Sequence, residues 1–351
     1  MFAPITNRKI RFALVGCGRI SKNHFESIRH HNQNAQLVDV CDTDPMALEK
    51  AVAQTGAKGH PNLGELLAHT TADCVILTTP SGLHASQAIA VAKSGRHVLS
   101  EKPMATNLED GRAMVVACEQ AGVHLFIVKQ NRKNATLQLL KRAVEKKRFG
   151  RIHLVTLNVF WQRPQVEYYD QAKWRGTWHL DGGALMNQAS HYVDLLDWLI
   201  GPVDSVHTYS ATLARDIEAE DTAVVSLRWR SGAIGSLNCT VLAYPQNIEG
   251  SITILGETGT AKVGGLAVNE IQEWRFSQSD PDDELIHQAS YQTASVYGFG
   301  HPLYYENVIN VLMGKAEPDV NGREGLKTLE VLIAAYRSAR DGVRVGLPLH
   351  L

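Results

Sequence analysis

The chain has 351 residues, of which 44% are hydrophobic and 20% charged, with a formal net charge of -1. That balance belongs to a folded, water-facing protein with length for two domains, and it offers no global field to recruit nucleic acid or an anionic membrane. No apolar run approaches the roughly 20 residues that cross a bilayer, and the opening MFAPITNRKIRF lacks the apolar core of a signal peptide, so a cytoplasmic location is expected. Cys17, Cys41, Cys74, Cys118 and Cys239 are odd in number, widely spaced and without a CxxC pair. They are expected as buried small residues, not as a disulfide framework or a zinc site.

From Arg8 an apolar run (Ile10, Phe12 to Val15) meets the turn GCGRIS, and Ile20, Phe25 and Ile28 then recur at helical intervals. Strand, glycine turn and helix in that order suit a dinucleotide fingerprint. Gly16 would make the tight turn, Gly18 would let the backbone approach a pyrophosphate, and Ser21 would fill the third, small position. The next run, AQLVDVCD, ends in Asp42 about 20 positions after the turn, where such folds place the carboxylate that holds the adenosine ribose hydroxyls. No Arg stands beside Asp42 in TDPMALEKA, which favours NAD over NADP.

Strand and helix keep alternating. CVIL breaks into Thr78, Thr79, Pro80 and Ser81 before the helix HASQAIAVAKSG; HVLSEKP precedes NLEDGRAMVVACEQAG; VHLFIVKQNRKN reads as a further strand with a polar tail. This pattern predicts a doubly wound parallel sheet over residues 1–130, covered on both faces, with its ligand beyond the strand carboxyl ends. Glu101 and Lys102 are therefore expected to face a cofactor crevice.

From Gly150 the runs become long and β-rich, as in RIHLVTLNVFWQ, VDSVHTYSATL and DTAVVSLRWRSGAIGSLNCTVLA, with glycine hairpin turns in WRSGAIG and LGETGTAKV. They predict an α+β domain over 131–351, built on a large, mostly antiparallel open sheet. Its few helices are expected around GGALMNQASHYVDLLDWLIG, PLYYENVINVLMG and REGLKTLEVLIAAYRSARDG. Helices on one face would leave the other to be covered, most simply by self-association as a dimer or tetramer.

Taken together, GCGRIS, Asp42, TTPSGLHA, the EKP at Glu101 to Pro103 and GGALMNQASHYVD resemble the Gfo/Idh/MocA oxidoreductase family across essentially the whole chain. Within it, KQNR at Lys129 to Arg132, WRGTW at Trp174 to Trp178, MNQASH, and YGFGH at Tyr297 to His301 are similar to the UDP-N-acetyl-glucosaminuronate 3-dehydrogenases. That group oxidises a nucleotide sugar on the route to bacterial surface polysaccharide. The resemblance implies an NAD-dependent dehydrogenase whose cofactor is held by Gly16, Gly18, Arg19, Ile20, Asp42, Thr79, Pro80, His84, Glu101, Lys102 and Gln130. It also implies that Lys102 contacts the reacting hydroxyl, and it brings in a 2-oxo acid as the partner that reoxidises NADH in place in some relatives.

One departure matters: the family's helix carries Asp four residues before its His, and here that position is Asn187, which accepts no proton. The base is then Lys102 or His191. Asn187, His191 and Asp194 share one helix face, with His191 expected opposite Lys102 and Asp194 expected to buttress His191 or cap packing. Arg132, Lys133, Arg163 and Arg175 are candidates for the acid and pyrophosphate of the substrate, Arg175 first for the uronate carboxylate. Tyr168, Tyr169 and Trp174 are candidates for the sugar or uracil, and Gln188 for a further substrate contact. No metal-ligand spacing is present. The alternatives are a related dehydrogenase of a free sugar or inositol, and a non-catalytic NAD-binding regulator, for which loss of the EKP lysine would be the sign.

Overall fold

The computed structural model describes residues 3–293, 296 and 298–349. Two compact units divide the chain: residues 1–129 with 301–326, and residues 130–300 with 327–351.

In the first unit, strands β1 (Ile10–Val15), β2 (Ala35–Cys41), β3 (Lys58–His60), β4 (Cys74–Leu77), β5 (His97–Ser100) and β6 (Leu125–Ile127) form a six-stranded sheet in the order β3-β2-β1-β4-β5-β6. All its pairings are parallel. The central strands are buried on both faces, β4 and β5 at every residue, as a sheet sandwiched by helices requires. Those helices are α1 (Ser21–His30), α2 (Pro45–Thr55), α3 (Leu63–His69), α4 (His84–Lys93) and α5 (Leu108–Gln120). The caps are local: Asp44, Asn62 and Asn107 each accept a hydrogen bond from an amide in the first turn of their helix. Strand order reverses between β1 and β4, so the loops after Val15 and Leu77 open at the switch point where such sheets bind ligands.

The expected boundary after residue 130 differs from the structure in one respect: 301–326 pack with the first unit. The helix α9 (Gly300–Leu312) is part of that return segment. Its Tyr305 is fully buried against Phe12, the ring centroids 5.7 Å apart, and the Tyr304 hydroxyl donates to the Ile127 carbonyl at 2.7 Å. The apolar face of α9 shows that it must be buried; the sequence carries no sign of which sheet it covers.

In the second unit, β7 (Ile152–Phe160), β8 (Val203–Ala211), β9 (Thr222–Trp229), β10 (Ile234–Thr240), β11 (Glu249–Gly256), β12 (Gly259–Gly264), β13 (Glu270–Phe276) and the short β14 (Val345–Gly346) form one sheet in the order β13-β12-β11-β7-β10-β9-β8-β14. It is antiparallel except for β7 with β10. Alternation decides its inner face: Val155, Leu157 and Val159 of β7, and Val225, Leu227 and Trp229 of β9, are buried. Helical layers α6 (Ala135–Glu145), α7 (Ser190–Leu195) and the C-terminal part of α10 (Gly322–Asp341) belong to this unit, along with the short α8 (Ile286–Ala289). The Trp229 indole N–H donates to the Leu196 carbonyl at 3.2 Å, which satisfies the one polar atom of the largest core side chain.

Candidate functional site

The glycine turn of the first unit is shaped as a dinucleotide loop requires. Gly16 has φ +97°, and a Cβ there would lie 2.8 Å from the Thr78 carbonyl and the Thr79 amide, so only glycine fits. A Cβ on Gly18 would meet nothing within 4 Å, which leaves that backbone open to close approach. Ser21 is buried and donates its hydroxyl to the Gly18 carbonyl at 2.7 Å, so the third position is small and locks the turn. Arg19 and Ile20 follow Gly18 directly in the turn. Asp42, at the end of β2, accepts from the Cys17 amide at 2.6 Å and from the Asp44 amide at 2.9 Å. The carboxylate is thereby tied to the glycine loop. Burial and Asp42 push the Cys17 thiol up to about 12, which makes it an unreactive spacer.

Thr78, Thr79 and Pro80 follow β4. The Thr78 hydroxyl donates to the Gly16 carbonyl at 2.6 Å, and the Thr79 hydroxyl to Gln87 at 2.6 Å. His84 is buried, with Nδ1 3.0 Å from the Pro103 carbonyl and Nε2 2.9 Å from the Thr79 carbonyl. Its ring therefore staples the loop after β4 to the loop after β5. These two contacts account for both ring nitrogens of His84, the residue expected at the cofactor.

Glu101 and Lys102 stand at the end of β5. The Glu101 carboxylate is buried, with Oε2 accepting the Lys102 amide at 3.0 Å and Oε1 lying 3.1 Å from His24 Nε2 and 3.6 Å from His301 Nε2. His24 Nδ1 meets the Tyr305 hydroxyl at 2.7 Å. Burial alone would raise this carboxyl, and the two histidines hold it well below its usual range. Among the described residues His24, Glu101 and His301 have ligand-type atoms within 4.8 Å of one another; hydrogen bonds account for both His24 nitrogens and for Glu101 Oε2.

The second unit gathers the remaining candidates. Gln130 lies in a short turn (130–133) that follows β6, and its side-chain amide donates to His191 Nε2 at 3.1 Å. Gln130 thus meets the histidine, and its side-chain amide engages Nε2 of that ring. Arg132 grips Asp194 through two hydrogen bonds of 2.7 Å, and Thr328 donates to the same carboxylate at 3.0 Å. Asp194, expected to buttress His191, serves the Arg132 guanidinium. Arg132, expected at the substrate, is the buried half of that bidentate pair.

The segment Gly183 to Ile200 winds through wide π turns at Ala184–Gln188 and Leu196–Ile200 on either side of α7. Asn187 hydrogen-bonds the Asp181 carboxylate, and Gln188 donates to the Tyr168 hydroxyl at 3.0 Å while accepting from Arg163 Nε at 3.1 Å. The Arg175 guanidinium sits 4.1 Å from the Tyr168 ring centroid and 5.4 Å from that of Trp174, and donates to the Tyr168 carbonyl at 2.8 Å. Arg163, Tyr168, Trp174, Arg175, Asn187 and Gln188 are thus one cationic and aromatic cluster, with Tyr169 buried edge-on to Tyr168. Tyr297 of the YGFGH stretch lies outside the described residues.

Three participants went unread in the sequence, and two of them carried no signal. His24 is a single histidine on an amphipathic helix, and Asp181 precedes the glycine pair in an irregular segment. Glu220 carries the clearest signal in retrospect, a carboxylate in the otherwise alternating run that opens β9. Its backbone carbonyl accepts the Ala184 amide at 2.8 Å, its Oε1 accepts the Leu185 amide at 2.7 Å, and the Tyr336 hydroxyl donates to that Oε1 at 3.0 Å while accepting the Met186 amide at 3.0 Å. Three successive amides that open the His191 segment are satisfied by one Glu and one Tyr.

Comparison with known proteins agrees with this architecture. Residues 10–129 match the family model described as the NAD-binding Rossmann fold of an oxidoreductase family, and residues 141–347 match the C-terminal alpha/beta domain of the same family. The chain is 66% identical to the WlbA dehydrogenase of Bordetella pertussis, solved in complex with NADH and UDP-GlcNAcA, with a TM-score of 0.97 over 99% of this chain and 100% of that one. It is 64% identical to the WlbA dehydrogenase of Chromobacterium violaceum in the same kind of complex, with a TM-score of 0.96 over 100% of this chain and 99% of that one. A more distant relative, the D-apiose dehydrogenase of Paraburkholderia graminis, is 25% identical over 97% of this chain and 91% of its own length. With both domain models matched in order, over residues 10–129 and 141–347, the chain belongs to the Gfo/Idh/MocA oxidoreductase family.

Proposed function

We propose that this enzyme oxidises the C3 hydroxyl of UDP-N-acetylglucosaminuronic acid with NAD. The observation that carries the reading is identity of 66% and 64%, over essentially the full length, to two dehydrogenases solved with NADH and UDP-GlcNAcA. Bound NAD supplies the hydride acceptor. The protein supplies a proton acceptor, and we assign that role to Lys102, because Asn187 accepts no proton and His191 Nε2 is engaged by the Gln130 side-chain amide. His191 is assigned to hydrogen bonding with the sugar. Arg175 is assigned to the uronate carboxylate: its Nε is buried with no hydrogen-bond partner among the described residues, and Tyr168 fixes its plane. Arg163, Tyr168 and Trp174 are assigned to the rest of the nucleotide sugar.

The same reading places the enzyme in the cytoplasm, in nucleotide-sugar synthesis for surface polysaccharide, with a 2-oxo acid as the partner that regenerates NAD. It also includes self-association through the outer face of the large sheet. The support for that last element is an exposed apolar set on paired strands, where Ile234 stands opposite Leu154 and Tyr209 opposite Val224. Calorimetric titration in the presence of NAD tests the substrate. Saturable binding of UDP-N-acetylglucosaminuronic acid and not of the sugar acid lacking UDP is expected; equal binding of the two would return the assignment to free sugars or inositols.

A further inference from the structure

The charged pair at the end of β5 is usually read from its lysine. The structure draws attention to the glutamate. Glu101 is buried, and the titratable groups that face it are His24 from α1, His301 and Tyr305 from α9, His84 from α4 and its own neighbour Lys102. A loop that needed only a hydrogen-bond acceptor could carry a neutral amide here. A buried carboxylate is costly unless it is hydrogen-bonded and balanced, and this one is caged by residues that lie 77 and, through Tyr305, 281 positions from their partners in the chain.

The hydrogen bonds have one consistent direction. An ionised carboxylate only accepts, so His24 donates to Oε1 through Nε2–H. Burial lowers the pKa of His24, and a ring whose Nε2–H is given to Glu101 presents Nδ1, when neutral, as the acceptor for the Tyr305 hydroxyl 2.7 Å away. The other carboxylate oxygen receives the Lys102 amide. The chain therefore runs from Tyr305 through His24 and Glu101 to the backbone of Lys102, with His301 alongside the same Oε1 at 3.6 Å and edge-on to His24, ring centroids 5.6 Å apart.

We infer that His24, Glu101, His301 and Tyr305 are positioning residues for Lys102: a buried group that fixes one ionised carboxylate against the Lys102 amide and so presents the lysine at a single height to the reacting hydroxyl. The return of residues 301–326 to the first unit acquires a purpose, since His301 and Tyr305 arrive with it. The inference rests on Lys102 as the proton acceptor proposed above, and one readout is chosen to need no substrate.

The test uses the full-length protein with ¹⁵N-lysine, the Lys102 amide being identified by its absence in Lys102→Arg. Because that amide donates to Glu101, its resonance follows the ionisation of the carboxyl as pH is varied. In the wild type no step is expected above pH ~5, where an ordinary glutamate has finished titrating. In His24→Phe, which fills the space but donates nothing, the step moves to higher pH, and kcat falls roughly 100-fold, the order that a misplaced catalytic group costs. The acid limb of the kcat/KM profile moves upward with it. His24→Gln, which keeps a donor, restores both readouts to near wild type, and Tyr305→Phe, which keeps the ring and removes only the hydroxyl, gives an intermediate shift should His24→Phe fail to fold. Superimposable amide titrations in wild type and Tyr305→Phe or His24→Phe, or a loss of kcat with an unchanged titration, would overturn the inference. A wild type that shows the expected amide titration but oxidises no nucleotide sugar would instead refute the proposed function and leave the cluster standing.

Discussion

Replacing Glu220 by Gln removes a charge from beneath the His191 segment while keeping the shape of the side chain. Burial pushes this carboxyl from 4.5 up to about 7, with Asp221 adding to the rise and the Leu185 amide and Tyr336 hydroxyl opposing it. The folded protein thus holds the proton more tightly than the unfolded chain. Glu220 stabilises the fold most below pH ~4.5, and that contribution is lost as pH rises toward ~7. At about 1.4 kcal/mol per unit the shift corresponds to ~3 kcal/mol across that window. The six tryptophans, Trp161, Trp174, Trp178, Trp198, Trp229 and Trp274, all lie in the second unit, so intrinsic fluorescence in urea reports on the unit that contains Glu220. The difference in stability between Glu220→Gln and wild type should move by ~3 kcal/mol in favour of the variant between pH ~4.5 and ~8. Parallel curves over that range would refute the argument that this carboxyl is perturbed by burial.

Further outcomes follow from named contacts. Lys102→Met should lower kcat by about 10²- to 10⁴-fold, the range for a lost acid-base group, while NAD affinity measured by calorimetry stays near wild type. Gly183→Ala should destabilise the second unit by roughly 1–3 kcal/mol in urea unfolding, because its Cβ would lie 2.0 Å from Glu220 Oε2; an unchanged midpoint would mean that Glu220 moves freely. Arg132→Met should cost about 3–5 kcal/mol by taking the guanidinium away from the buried Asp194 carboxylate, and Arg132→Met with Asp194→Leu should recover most of that loss.

The first sheet was legible because its signals are local. A glycine turn between strand and helix, and an acid at the end of the second strand, are properties of contiguous residues, and Gly16 and Asp42 stand where those signals put them. The second sheet was legible from alternation along β7 and β9. Other features were not legible because their causes are distant in sequence. His24 looks like any histidine on a helix until Glu101 and Tyr305 are seen on either side of its ring. The apolar face of α9 calls for burial without naming the sheet that buries it. Arg132 was assigned an outward role from its motif and Asp194 one beside His191 or in packing, whereas a buried guanidinium and a buried carboxylate 62 positions apart are each other's simplest counterion. Asn187 was read as a missing acid; the structure sets the Asp181 carboxylate against its amide.

Oxidation at C3 of a UDP-linked uronic acid is tested most directly by isotope transfer. The enzyme is incubated with NAD and UDP-N-acetylglucosaminuronic acid carrying deuterium at C3, then denatured, and the cofactor is analysed by mass spectrometry whether or not it has left the protein. Deuterium in the reduced cofactor from the C3-labelled sugar, and none from sugar labelled at C4, is the predicted result. Unlabelled NADH from the C3-deuterated substrate, or no reduced cofactor at all, would contradict it.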